Sequence, residues 1–158
     1  MDLAALLLQS QTSILEDAHA ALERSHVRHY EAAGEELTRQ RLDDLFTLVV
    51  SAIRDRDLAQ VSVFSRRIAE ERFTQGFDIG EVQAAFNALE QSMWHQVVTS
   101  TAPEDLAEAT GLLSTVLGFG KDALARTFVE LASKRHVRSL DLTALFAGTQ
   151  PRDVDPSP

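Results

Sequence analysis

The chain has 158 residues, a length that favours one domain with a substantial core. It is 44% hydrophobic and 25% charged, the balance of a soluble globular protein, and 24 acidic against 15 basic residues give a formal charge of -9. So acidic a chain, with no run of Lys and Arg, argues against nucleic acid or an anionic membrane as partner. The absence of cysteine excludes disulfides, thiolate metal sites and a cysteine nucleophile, and fits a reducing, cytoplasmic setting.

The N-terminal run LAALLL is preceded by Asp2 and by no basic segment, so we do not read it as a signal peptide. No uncharged run approaches the roughly 20 residues of a membrane span. The first helix is expected from Leu3 to about Arg24, with an extension towards His29. Leu3, Leu7, Ile14, Ala18, Ala21 and Leu22 form its apolar side, and the register slips between Gln9 and Ser13, where a kink is expected. Gly34 breaks the chain. A second helix runs from Glu35 to Arg54 on the stripe Leu37, Leu45, Leu48, Val49, Ala52 and Ile53. Asp57 caps a third, Leu58 to Gln75, which turns Val61, Phe64, Ile68 and Ala69 inward and Arg66, Arg67, Glu70 and Glu71 outward.

The stretch EERFTQGFDIGEVQAAFNALEQSMWHQVV, Glu70 to Val98, carries the clearest punctuation. Gly76 suits a left-handed C-terminal cap. Asp78 and Glu81 have the spacing of a capping box, with Phe77 and Val82 placed as a hydrophobic staple. Ile79, Val82, Phe86, Leu89, Met93 and Val97 then recur at steps of three and four, one face of a fourth helix. Thr101 and Glu104 offer a second capping box. A fifth helix follows to about Lys134, with Leu106, Leu113, Val116, Leu117, Ala123, Leu124, Phe128 and Leu131 on its core face. Gly118 and Gly120 fall in its middle and serve a bend or a close helix contact. No segment alternates apolar and polar residues, so the fold class is all-α, about five main helices in a bundle. We divide the chain into an all-α regulatory domain over 1–138, a short apolar segment over 139–147 and a tail over 148–158 expected to be disordered.

Four groups of residues invite a chemical reading. Glu16, His19, Glu23 and His26 repeat at helical spacing, and Glu-x-x-His is the spacing of di-iron bundles. Those sites draw the motif from two helices, whereas here both copies share one. A solvated face explains the residues, and a metal site on His19, Glu23 and His26 is the lesser alternative. A haem sensor could use His95 or His136 as axial ligand. His95 lies just off the apolar stripe, where a partly buried polar residue is the plainer reading, and we expect no cofactor. In GFGKD the first glycine of a phosphate loop would fall at Thr115, and Asp122 replaces the Ser or Thr after Lys121, so the glycines are packing residues. Gln83, Asn87 and Glu90 make a polar row on the fourth helix. They form either a solvated edge or, with Arg126 or Arg72 as partner, a buried network. Leu140, Leu142, Leu145 and Phe146 in SLDLTALF would either cover the core or dock on a partner or second subunit. No nucleophile–base pair stands out, so an enzyme is not expected.

The helix pair ERFTQGFDIGEVQAAFNALEQSMW and the later KDALARTFVELA carry a resemblance. From about Arg28 to Arg138 the chain resembles the helical N-terminal sensor domain of the RsbR-type co-antagonists of bacterial stress signalling, in particular the RsbRD branch. The resemblance implies a globin-like or bundle-like regulatory module, a homodimer acting through another signalling protein, without catalysis and without haem. The co-antagonists carry a STAS domain after the sensor, and other proteins with this helical domain carry a DNA-binding domain. Neither is present in the sequence, which we read as a free-standing sensor domain or a fragment.

Overall fold

The computed structural model describes residues 1–139, with side chains described through residue 135. Every regular element among the described residues is a helix: α1 (Leu3–Gln9), α2 (Gln11–Arg24), α3 (Arg28–Ala33), α4 (Glu35–Asp55), α5 (Ala59–Thr74), α6 (Ile79–Ser100) and α7 (Pro103–Ser139). The all-α class expected from the periodicity holds, but seven helices stand where about five were expected. The reason is local. The slip between Gln9 and Ser13 is a true break at Ser10, which caps α1 and starts α2. The extension towards His29 does not form either, because His26 takes a left-handed conformation (φ 49°) and turns the chain into the separate helix α3.

α5 lies along α7 and α2 along α6, and α6 also packs on α7, while α4 touches every other helix group of the bundle. One continuous core results. Leu7, Ile14, Leu42, Phe46, Leu89, Met93, Leu113 and Leu117 are fully buried within it. The α6 stripe is as predicted, with Val82, Phe86, Leu89, Met93 and Val97 buried and Ile79 half-buried. On α4 the stripe is rotated. Leu37 is exposed, and Leu42, Phe46 and Val50 join Leu45, Val49 and Ile53 inside. Leu37 instead lies at the edge of a cavity between α4 and α5.

The α5–α6 corner follows its sequence signals in detail. Gly76 has φ 85°, and its N–H donates to the Phe73 carbonyl while that of Phe77 donates to Arg72, the paired bonds of a Schellman cap. Asp78 accepts from the Glu81 N–H at 2.9 Å, and Glu81 accepts in return from the Asp78 N–H at 2.9 Å. The second expected capping box is not formed. Thr101 ends α6, its hydroxyl finds no partner, and α7 starts at Pro103. The proline ring, free of an N–H, supplies the helix start by itself.

Gly120 explains how α5 and α7 come so close. A Cβ there would stand 3.1 Å from the Phe86 ring, 3.3 Å from Val61 and 3.4 Å from Ser65, whereas at Gly118 it would meet nothing. The close-contact role expected of these glycines therefore belongs to Gly120. Ser139, the first residue of the predicted segment SLDLTALF, ends α7, and the rest of the segment and the tail over 148–158 lie outside the described residues.

Candidate functional site

The most unusual chemistry lies where α3, α4, α5 and α6 meet. Phe77, held just before α6 by the glycine cap, is the hub. The His29 ring lies 4.6 Å from it, centre to centre, and the Tyr30 ring meets it edge-on at 5.3 Å. Two guanidinium groups flank the same ring, Arg41 at 5.8 Å and Arg72 at 5.7 Å, and Arg41 also lies 5.9 Å from the Tyr30 ring.

Arg72 is the anomaly of the core. It shares the inward face of α5 with Val61, Ser65 and Ala69, and only 3% of it is exposed. Its Nη1 donates to Glu71 at 2.7 Å, but its Nε is buried without an acceptor among the described residues. Arg41 Nη1 is in the same condition, and Arg41 makes no ion pair among the described residues. Burial, and then repulsion from Arg72, pulls the Arg41 guanidinium below its ordinary value, against weaker support from Tyr30 and Glu71. Burial pushes the Tyr30 phenol up, opposed by the charges of Arg72 and Arg41 and by a side-chain hydrogen bond from Arg72.

These groups open onto a cavity of about 330 Å³. Its apolar walls are Leu45, Phe64, Ile68, Val82 and Phe86, and its charged residues are Arg41, Asp44, Arg67, Glu71 and Arg72. Asp44 accepts from Gln40 at 2.9 Å, and Arg67 lies over the Phe64 ring at 5.3 Å. The cavity can therefore offer unpaired cationic donors beside an apolar surface.

The residues singled out from the sequence are placed elsewhere. His19 is buried, with Glu23 3.9 Å away on the exposed side. His26 lies past the end of α2, 82% exposed, and pairs with Glu31 at 3.0 Å. The expected common face of Glu16, His19, Glu23 and His26 ends where the helix ends, and no group of three or more His, Asp or Glu among the described residues has metal-site geometry. His29 turns away to Glu81, 2.7 Å distant. His95 is exposed on a shallow groove between α2 and α6, beside Trp94 and Arg24. It has no enclosing apolar pocket of the kind a haem plane requires. The His136 side chain and Leu140, Leu142, Leu145 and Phe146 lie outside the described residues.

The polar row on α6 takes a different partner from those expected. Lys121 on α7 pairs with Glu90 and approaches Asn87 at 3.5 Å. Arg126 is 77% exposed and pairs with Asp122 on its own helix, and Arg72 pairs with Glu71. Gln83 is half-buried and makes no side-chain bond among the described residues. The row is a half-exposed interhelical pair, and it lies apart from the arginine cavity.

A protein-family model, the RsbT co-antagonist protein rsbRD N-terminal domain, matches residues 12–138. The chain belongs to this family. The match covers α2 to α6 and nearly all of α7, so the whole arginine cavity lies inside the rsbRD N-terminal domain. The family is one of stress-signalling co-antagonist domains. No curated protein and no solved structure gives a significant match. No described helix is long and apolar enough to cross a membrane.

Sequence reasoning missed Arg41 and the inward turn of Arg72. The second was within reach. Val61, Ser65, Ala69 and Arg72 follow one another at helical spacing, so an arginine on the buried stripe of α5 was readable. Nothing local marks Arg41, because its burial depends on how α3 crosses α4.

Proposed function

We propose that this rsbRD N-terminal domain is a non-catalytic regulatory module that works as a homodimer and signals by contact with another protein in a bacterial stress pathway. The observation that carries the reading is membership of the co-antagonist family over residues 12–138. The surface supports it. Val98 on α6 and Phe119 and Val129 on α7 are large apolar side chains left at 54%, 39% and 63% exposure. They lie on the two helices that, with the SLDLTALF segment, we assign to the contact. Such side chains gain most when a partner covers them. We assign the module no catalysis and a globin-like packing that works without haem.

An absorption spectrum with elemental analysis of natively purified protein tests the reading against its haem- or metal-sensor rival. The expected result is a colourless protein without stoichiometric iron. A haem band, lost on substituting His95, would overturn it. Removal of residues 139–158 separates the two roles of the apolar segment. A docking segment weakens self-association on removal, whereas a core cover changes only the unfolding temperature.

A further inference from the structure

We propose that the cavity between α4, α5 and α6 is a binding site for a small organic acid, one carboxylate on an apolar body, held by Arg41 and Arg72. The inference deepens the regulatory reading and rests on it only for its purpose, since it supplies that module with a ligand.

The charge balance selects the anion. Asp44 is already engaged by Gln40, and Glu71 by Arg72. Three cations, Arg41, Arg67 and Arg72, line the cavity with these two carboxylates, which leaves one positive charge, and neither Arg41 nor Arg67 has an ion-pair partner among the described residues. A singly charged ligand matches this excess. A phosphate dianion would exceed it and would press against Asp44 and Glu71.

The donor geometry selects a carboxylate. Arg72 Nε and Arg41 Nη1 are each buried, each without an acceptor among the described residues, and both side chains line the cavity. Two guanidiniums flanking one phenyl ring repel each other, and an anion between them relieves the repulsion while satisfying both N–H groups. A buried donor left without a partner costs about 1–3 kcal/mol, so binding gains most at Arg41 Nη1, whereas Arg72 already contacts Tyr30 and Glu71.

The walls select the body. Leu45, Phe64, Ile68, Val82 and Phe86 present hydrocarbon, which a mineral anion cannot use. The volume of about 330 Å³ lies in the range of small-molecule sites. Medium-chain and aryl-alkyl carboxylates are of this size.

Calorimetric titration of the full chain with octanoate and with phenylpropionate tests the site, with octanol, phenylpropanol and inorganic phosphate as controls. The site as described binds at least one of the two acids saturably, more tightly than its alcohol and more tightly than phosphate. Arg41→Gln should weaken that acid by about ten-fold or more, the worth of a charge-assisted pair. Arg41 makes no ion pair in the fold, so this variant is expected to stay folded, and its circular dichroism verifies that. Equal binding of acid and alcohol, tighter binding of phosphate, no binding of either acid, or an unchanged affinity in Arg41→Gln would each overturn the assignment. The titration needs no partner protein, so its failure would leave the protein-contact reading intact, and a monomeric, partnerless chain could still bind the acid.

Discussion

His29 on α3 donates through Nδ1 to Oε1 of Glu81 in the first turn of α6, at 2.7 Å. The second oxygen of the same carboxylate closes the capping box on Asp78. One side chain thus starts α6 and ties α3 to it, and α3 in turn carries Tyr30 to the arginine cavity.

Burial pulls the Glu81 carboxyl up, but the His29 and Asp78 donors outweigh it and hold it below the ordinary 4.5. A depressed carboxyl stabilises the fold above its unfolded value, and that contribution is lost as pH falls through the folded value. Glu81→Gln should therefore lower stability by up to about 1 kcal/mol at neutral pH, because the amide can still accept from the Asp78 N–H while the bond from His29 loses its charged acceptor. The deficit should shrink as the pH drops below 4.5. Urea unfolding of both proteins at several pH values measures this. A deficit that grows in acid would contradict it.

Gly118 and Gly120 should respond in opposite directions to alanine. Gly118→Ala meets open space and should stabilise α7 by about 0.5–1 kcal/mol through helix propensity. Gly120→Ala presses on Phe86 and Val61, which are 3% and 2% exposed and cannot yield. Overpacking of this kind costs about 1–3 kcal/mol. Thermal unfolding of the two variants reads the signs directly.

The ion pair between Lys121 and Glu90 is half-exposed, and such pairs contribute about 1 kcal/mol or less. Lys121→Met should cost no more than that, and Arg126→Met, on the outer face of α7, should cost nothing measurable. A larger loss in Arg126→Met would place that residue in an inward network that the structure does not contain.

Phe77→Ala should cost about 3–5 kcal/mol, the usual result for a buried phenylalanine, because the ring is the hub on which His29, Tyr30, Arg41 and Arg72 converge. Amide exchange in α3 should accelerate most, since α3 is short and owes its position to that ring.

Local signals were readable in this sequence because their physics is local. The Gly76 cap and the Asp78–Glu81 box each depend on residues within two turns of one another, the α6 stripe repeats at steps of three and four, and the family resemblance rested on that stretch together with KDALARTFVELA. The break at Ser10 showed only as a slipped register, and the left-handed turn at His26 did not show at all, because nothing in the residue itself demands it. The cavity was legible by half. An arginine on the buried stripe of α5 is visible at Arg72, but Arg41 and Tyr30 reach it only through the crossing of α3 and α4. Lys121 was overlooked as the partner of Glu90 for a related reason. Which residue of α7 faces α6 is set by the contact at Gly120, and the charge pattern alone does not reveal it.

We propose that the regulatory module works as a homodimer through the exposed faces of α6 and α7. Light scattering of the full chain over a wide dilution series tests it most directly. The account predicts twice the chain mass at high concentration, reverting towards the single-chain mass when Phe119 and Val129 are replaced by polar residues. A single-chain mass at every concentration, or a dimer indifferent to those replacements, would contradict it.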